Sequence, residues 1–129
     1  MNATLARRLT AEFLGTLFLL AAVVGSGIMG ERLAQGNTAL ALLANTLATG
    51  AALVALILTL GPISGAHLNP AVTLAEAWLR ALPWREAAAY IVVQLAGAFT
   101  GVAAAHLMFG APLFSLSVHI VRRSETPNR

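Results

Sequence analysis

The stretch that decides the fold is SGAHLNPAVT, residues 64–73, near the middle of a chain of 129 residues. Asn69 is a strong helix N-cap and Pro70 suits the first helical position, so a helix is predicted to begin there. Residues 61–68 before it form poor helix sequence yet contain no charge. Leu82-Pro83 ends the helix. About 11 residues of helix span about 16 Å, which is half of a bilayer core.

Three longer apolar segments surround this half-length helix. They cover about residues 9–30, 39–60 and 86–109. Gly61-Pro62 is predicted to end the second segment. Each has about 20 residues or more, enough to cross a hydrocarbon core of about 30 Å. The first is too long for the apolar part of a signal peptide. The predicted fold is an all-α membrane protein with three transmembrane helices, a re-entrant loop and half-helix over about 61–80, and a tail over 110–129.

The composition agrees with a membrane protein. Hydrophobic residues make up 58% of the chain and charged residues 10%, with a mean hydropathy of +0.79, whereas a soluble domain carries about 25% charged residues. The net charge of +3 does not indicate nucleic acid, because the arginines flank apolar runs. The chain contains no cysteine, which excludes disulfides and thiol chemistry.

An uncharged irregular segment at membrane depth is itself informative. Such backbone is tolerated where protein buries it or where it lines a water-filled cavity, and a half-helix aimed at the midplane marks a solute pathway. Asn69 is expected to cap the helix through its side-chain oxygen, leaving its amide hydrogens to face the lumen. The positive end of the half-helix dipole disfavours cations at the same point. The simpler alternative is that Asn69 is a helix cap and nothing more.

Residues 64–73 resemble the first signature loop of the aquaporin and glycerol-facilitator family, the major intrinsic proteins. The stretch AEFLGT, residues 11–16, resembles the family's first-helix signature, and Gln94 with Gly97 and Gly101 resembles its third helix. The resemblance covers residues of about 9–110. It implies a passive channel for water or small neutral solutes in a lipid bilayer, without a cofactor, assembled as a homo-oligomer that is a tetramer in the family. No nucleophile–base pair, carboxylate pair or phosphate-binding loop points to an enzyme or a pump.

The resemblance also implies roles for individual residues in the pore. The pore-lining set consists of the loop, the tip of the half-helix and one residue of the second span: Gly65, Ala66, His67, Leu68, Asn69, Pro70, Ala71 and Thr49. The four loop residues would present a ladder of carbonyl acceptors. Thr49 matches the second-span position of the selectivity constriction, and its small hydroxylated side chain would admit glycerol or neutral metalloid hydroxides such as arsenous acid. The alternative is that Thr49 merely packs.

A second set of residues supports the loop in the resemblance. Glu12 would hold the loop's backbone amides from inside the protein; the alternative places it at the membrane interface beside Arg7 and Arg8. Gln94, Gly97 and Gly101 would belong to the third helix's packing surface, where small residues let helices approach closely. The histidines at 67, 106 and 119 are too far apart to suggest a metal site.

The family is built from two inverted repeats, and residues 1–129 correspond to the first. The sequence has no second Asn-Pro-Ala, so the chain is expected to supply half of a pore. It would be a fragment of a longer protein, the partner of a separately encoded second half, or an antiparallel homodimer. The alternative is a truncated, non-conducting membrane subunit.

Arginine placement gives a weak indication of orientation. Four arginines would lie on each side of the membrane, and discounting the tail arginines favours a cytoplasmic N-terminus. The expected location is the inner (plasma) membrane of a bacterium.

Overall fold

The computed structural model describes residues 3–112, and within that range it contains four helices. They are α1 (Leu5–Leu33), α2 (Thr38–Ser64), α3 (Pro70–Trp78) and α4 (Trp84–Met108). By length and composition, α1, α2 and α4 can each cross a membrane. The predicted fold class is confirmed over the described residues. The predicted tail beyond residue 112, including His119, lies outside them.

Helix α1 is the centre of the arrangement. It packs against both α2 and α4, and the short α3 packs against α4. Helix α3 has 9 residues, which gives a length of about 14 Å and agrees with a half-length element. Helix α3 therefore lies against α4 and is too short to cross a membrane by itself.

Each of the first three helices begins with a side chain that satisfies a free backbone amide. Thr4 Oγ1 accepts from Arg7 N at 3.3 Å, and Asn37 Oδ1 accepts from Leu40 N at 3.1 Å. Asn69 caps α3 in the same way. Because the first amides of a helix have no partner within it, these caps set where each helix starts.

The prediction that Gly61-Pro62 ends the second span was wrong. Helix α2 passes through Pro62 and ends at Ser64. Proline removes one N–H donor, but Pro62 lies in the last turn and is exposed, so few of the helix's hydrogen bonds depend on it. The helix ends instead at Gly65, whose φ of 89° forms a left-handed cap and whose N–H donates to Gly61 O at 2.9 Å.

Two glycines bring α4 into backbone contact with α1. A Cβ atom added to Gly97 would lie 2.5 Å from the carbonyl oxygen of Phe13, and one added to Gly101 would overlap the carbonyl oxygen of Leu17. Both obstacles are backbone atoms, which cannot rotate away. The two helices are therefore as close as their main chains permit, as small residues allow in membrane helices.

Replacing either glycine is expected to push the helices apart. Gly97→Ala and Gly101→Ala should each lower the free energy of unfolding in detergent by about 1–3 kcal/mol, the usual cost of overpacking. The matched control is Gly50→Ala, because nothing lies within 4 Å of a Cβ at Gly50 and alanine favours a helix by about 1 kcal/mol. Equal stability of all three variants would contradict the close contact.

Candidate functional site

The carboxylate of Glu12 lies at the centre of a buried polar cluster. Its side chain is fully buried. Oε1 accepts from Ser64 Oγ at 2.7 Å and from His67 N at 3.0 Å, while Oε2 accepts from Leu68 N at 2.7 Å and from Gln94 Nε2 at 2.9 Å. Four bonds use the acceptor sites of an ionised carboxylate. Burial of this polar group is compensated because every site has a partner.

The loop between α2 and α3 turns its amides toward this cluster. Besides the amides of His67 and Leu68, the amide of Ala66 donates to Ser64 Oγ at 3.2 Å. The carbonyl oxygens of the four loop residues, in contrast, accept no hydrogen bond from residues 3–112. These residues are Gly65, Ala66, His67 and Leu68. One edge of the loop is thus bound to protein, and its other edge is a row of free acceptors.

This conformation is costly for the residues that adopt it. Ala66 and Leu68 have φ values of 49° and 53°, a left-handed region that costs a non-glycine residue about 1–2 kcal/mol. The hydrogen bonds to Glu12 hold the backbone there. Burial helps as well, since the Leu68 side chain is 3% exposed and occupies space against Gly15, where a Cβ atom would overlap it.

A second layer of polar side chains joins the loop to α3 and α4. Gln94 Nε2 also donates to Thr73 Oγ1 at 2.9 Å, and Thr73 Oγ1 lies 3.1 Å from His67 Nδ1. The Thr73 hydroxyl therefore bonds to Gln94 on α4 and to the His67 ring in the loop.

The cluster continues to the ends of α1 and α4 through Tyr90. The Tyr90 hydroxyl donates to Ser64 O at 2.9 Å and accepts from Arg8 Nε at 2.9 Å. Arg8 also forms an ion pair with Glu86 at 2.8 Å. The aromatic ring lies 5.2 Å from the ring of His67, measured between centroids. A continuous chain of contacts therefore links the loop to the helix ends.

Sequence reasoning did not find Ser64, Thr73 or Tyr90 as members of this cluster. A signal was present for Tyr90, because it precedes Gln94 by four residues and so occupies the same face of α4. Thr73 likewise follows Asn69 by one turn of α3. Ser64 is the last residue of α2, a position that was predicted to lie in the loop.

Asn69 forms the tip of α3. Its Oδ1 accepts from Ala71 N at 2.8 Å, and its backbone carbonyl accepts from Thr73 N at 3.1 Å. The side chain is exposed, and its Nδ2 has no hydrogen-bond partner among residues 3–112. Pro70 and Ala71 form the first turn behind it. The tip therefore presents two amide hydrogens at the positive end of a helix.

This tip lies near the middle of the bundle. Thr73, in the first turn of α3, bonds to Gln94. Gln94 is ten residues into α4, which has 25 residues. At about 1.5 Å per residue, that places it about 15 Å along a helix of about 37 Å. The tip of α3 is therefore far from either end of α4.

Thr49 belongs to a different part of the molecule. It lies on α2, about 22 Å along the helix from Ser64, and its side chain is half-buried. Its hydroxyl donates to Asn45 Oδ1 at 3.2 Å. The structure thus brings together the loop, Asn69, Glu12 and Gln94, and it places Thr49 in a separate polar group between α1 and α2.

Comparison with known proteins agrees with this geometry. A family model described as major intrinsic protein matches residues 1–125. The chain belongs to the major intrinsic protein family. Members of this family are membrane channels rather than enzymes, and the resemblance carried by residues 64–73 is confirmed. With its three apolar spans, the chain is an integral membrane protein.

Curated members of the family are similar to most of the chain. An aquaglyceroporin, AqpS, of Rhizobium meliloti (strain 1021) is 55% identical over 116 residues, which cover 90% of this chain and 49% of that protein. Aquaporin NIP1-4 of Oryza sativa subsp. japonica is 41% identical over 85% of the chain and 39% of its own length. Aquaporin NIP6-1 of Arabidopsis thaliana is 38% identical over 84% of the chain and 34% of its own length. The chain therefore spans half or less of the length of these relatives.

The contacts of Glu12 lead to a direct test by Glu12→Gln. A carboxamide would turn its NH₂ group toward the backbone amide of His67 in one orientation and that of Leu68 in the other, and each unsatisfied buried donor costs about 1–3 kcal/mol. We expect a loss of unfolding free energy of that size and faster hydrogen exchange at the amides of His67 and Leu68, measured by NMR in detergent.

The matched control is Glu76→Gln on α3. The Glu76 side chain makes no hydrogen bond or ion pair within residues 3–112. The substitution Glu76→Gln should therefore leave both the unfolding free energy and the hydrogen exchange unchanged. Unaltered exchange at His67 and Leu68 in Glu12→Gln would show that the carboxylate does not hold the loop.

Proposed function

We propose that this chain supplies one half of a passive transmembrane pore for water and small neutral solutes, including glycerol and neutral metalloid hydroxides. The observation that carries the proposal is the exposed amide of Asn69 beside a row of unpaired loop carbonyls. Both groups are held by protein on their other side. A polar edge of this kind at membrane depth needs water or a solute to satisfy it.

Conduction follows from replacing the hydration of the solute. A solute hydroxyl or a water molecule donates to the carbonyls of Gly65, Ala66, His67 and Leu68 in turn and accepts from Asn69 Nδ2. Each step exchanges one hydrogen bond for another of similar strength, so the solute is neither trapped nor excluded. Movement is therefore downhill and requires no energy source.

Selection against cations arises from the same elements. The N-terminus of α3 carries a partial positive charge of about half a unit, and Asn69 adds donors rather than acceptors. The nearest carboxylate in the network, Glu12, is fully buried and bonded to four donors. A cation that loses its water beside Asn69 would face amide donors and the positive end of α3, and no carboxylate would be free to bind it.

In this proposal Thr49 forms part of the selectivity constriction. Its side chain is short, and its oxygen can accept a hydrogen bond from a hydroxylated solute. The relative named as an aquaglyceroporin is 55% identical over most of the chain, which supports a solute larger than water.

The other half of the pore is an inverted counterpart of this one. The tip of α3 stops near the middle of α4, so a second half-helix entering from the opposite side would meet it there. A second antiparallel copy, a separate polypeptide or further sequence of a longer protein would each supply it. The N-terminus is proposed to face the cytoplasm and the complete pore to assemble as a tetramer.

The test is solute flux into proteoliposomes that contain the complete pore. Thr49→Phe should lower glycerol flux by about tenfold, a barrier increase of about 1.4 kcal/mol, because the ring would fill the constriction. Water flux should fall less. Stopped-flow light scattering measures both.

The matched control is Thr46→Phe. Thr46 is exposed on α2, and its hydroxyl bonds to Leu42 O within its own helix at 2.8 Å, so the ring should leave glycerol flux unchanged. Passage of water alone, together with no effect of Thr49→Phe, would contradict the solute assignment. No flux of either solute would make the chain a non-conducting subunit.

A further inference from the structure

A second polar group lies between α1 and α2, apart from the Glu12 cluster. Asn45 Oδ1 accepts from Ser26 Oγ at 3.1 Å and from Thr49 Oγ1 at 3.2 Å. All three residues belong to helices that are apolar enough to cross a membrane. Polar side chains at such positions are costly unless they pair with one another or have a function.

The direction of these bonds decides what the group offers to a passing molecule. A hydroxyl has one proton, and Thr49 gives its proton to Asn45. Ser26 gives its proton to Asn45 or to Val23 O, which is 3.2 Å away. The Thr49 oxygen can therefore accept a hydrogen bond from a solute but has no proton left to donate.

Asn45 supplies the donors that Thr49 lacks. Its Nδ2 has no hydrogen-bond partner among residues 3–112. Gly27 faces it without a side chain, since a Cβ atom there would lie 3.4 Å from Nδ2. Asn45 and Gly27 line an open cleft of about 270 Å³. Its other lining residues are Glu31, Thr38, Ala41 and Leu42. One water molecule occupies about 30 Å³ in the liquid, so the cleft has room for a small solute.

Asn45 and Asn69 thus share one arrangement. In both, the side-chain oxygen is used within the protein, by Ser26 and Thr49 for Asn45 and by Ala71 N for Asn69. In both, the amide nitrogen keeps its two protons. Asn45 differs in having an acceptor, the Thr49 oxygen, within one turn of its donors.

We infer that Asn45 contacts the solute and, with Thr49, selects for neutral hydroxylated molecules. Asn45 Nδ2 donates to a solute hydroxyl oxygen while the Thr49 oxygen accepts that hydroxyl's proton. A polyol or an undissociated hydroxide satisfies both groups at once. This inference rests on the proposed function for the position of Thr49 on the solute path.

The competing role for Asn45 is a tie between two helices, because polar side chains bond across helices in membranes. Ser26→Ala separates the two roles. It removes the bond from α1, and Thr49 still orients the Asn45 amide. If Asn45 only links the two helices, Ser26→Ala and Asn45→Leu should both remove that link. If Asn45 contacts the solute, Asn45→Leu alone should remove the contact.

The first measurement uses the wild-type protein in detergent, labelled with ¹⁵N asparagine and titrated with glycerol. The side-chain amide signals of Asn45 should shift and saturate. Asn37 is the internal control, since it caps α2 in the exposed turn and should follow bulk solvent. If the Asn45 signals change as those of Asn37 do, the inference is wrong. This result does not depend on transport.

The second measurement is the ratio of glycerol flux to water flux in proteoliposomes. Asn45→Leu should lower the ratio by about three- to tenfold, as loss of one hydrogen bond would. Ser26→Ala and the control Thr46→Val should stay within about twofold of wild type. An equal fall in Ser26→Ala would make Asn45 a helix tie. Absence of flux in the wild type would overturn the proposed function, while the glycerol titration would still decide the role of Asn45.

Discussion

The hydrogen bonds between Glu12 and the loop are the constraint on which the rest of this structure depends. Two of its four partners are consecutive backbone amides, those of His67 and Leu68. Without an acceptor, these amides would lie unpaired in the interior, and the left-handed conformations of Ala66 and Leu68 would lose their support. The direction of the free carbonyls follows from the direction of the bound amides. One carboxylate therefore orients an entire segment of backbone.

The close contact between α1 and α4 allows the polar side chains of the two helices to bond to each other. Gly97 and Gly101 let the two main chains touch, and Gln94, one turn before Gly97, then bonds to Glu12. Because Gln94 also bonds to Thr73, the same contact sets the depth of α3. The close approach at Gly97 and Gly101 thus brings the Gln94 side chain, one turn away, within reach of Glu12 and Thr73.

Much of this architecture could be predicted, because its signals are local. The cap at Asn69 and the three apolar segments predicted the half-helix and the spans, and the family resemblance named Glu12 and Gln94. Long-range contacts left no local signal, so the bonds of Ser64 and Tyr90, and the bond from Ser26 to Asn45, appear in the structure alone. Pro62 misled the prediction of where α2 ends because a helix tolerates proline in a last turn that a glycine cap completes.

The inward direction of the loop amides has a consequence for how the protein changes over generations. In the proposed pore, the atoms that the loop offers to the solute belong to the main chain, and every residue carries the same carbonyl. Substitution at positions 65–68 therefore alters the fit and stability of the loop without altering the chemical identity of its acceptors. On the proposed solute path, selectivity would then change mainly through side chains such as Thr49 and Asn45, while the loop carbonyls would stay the same.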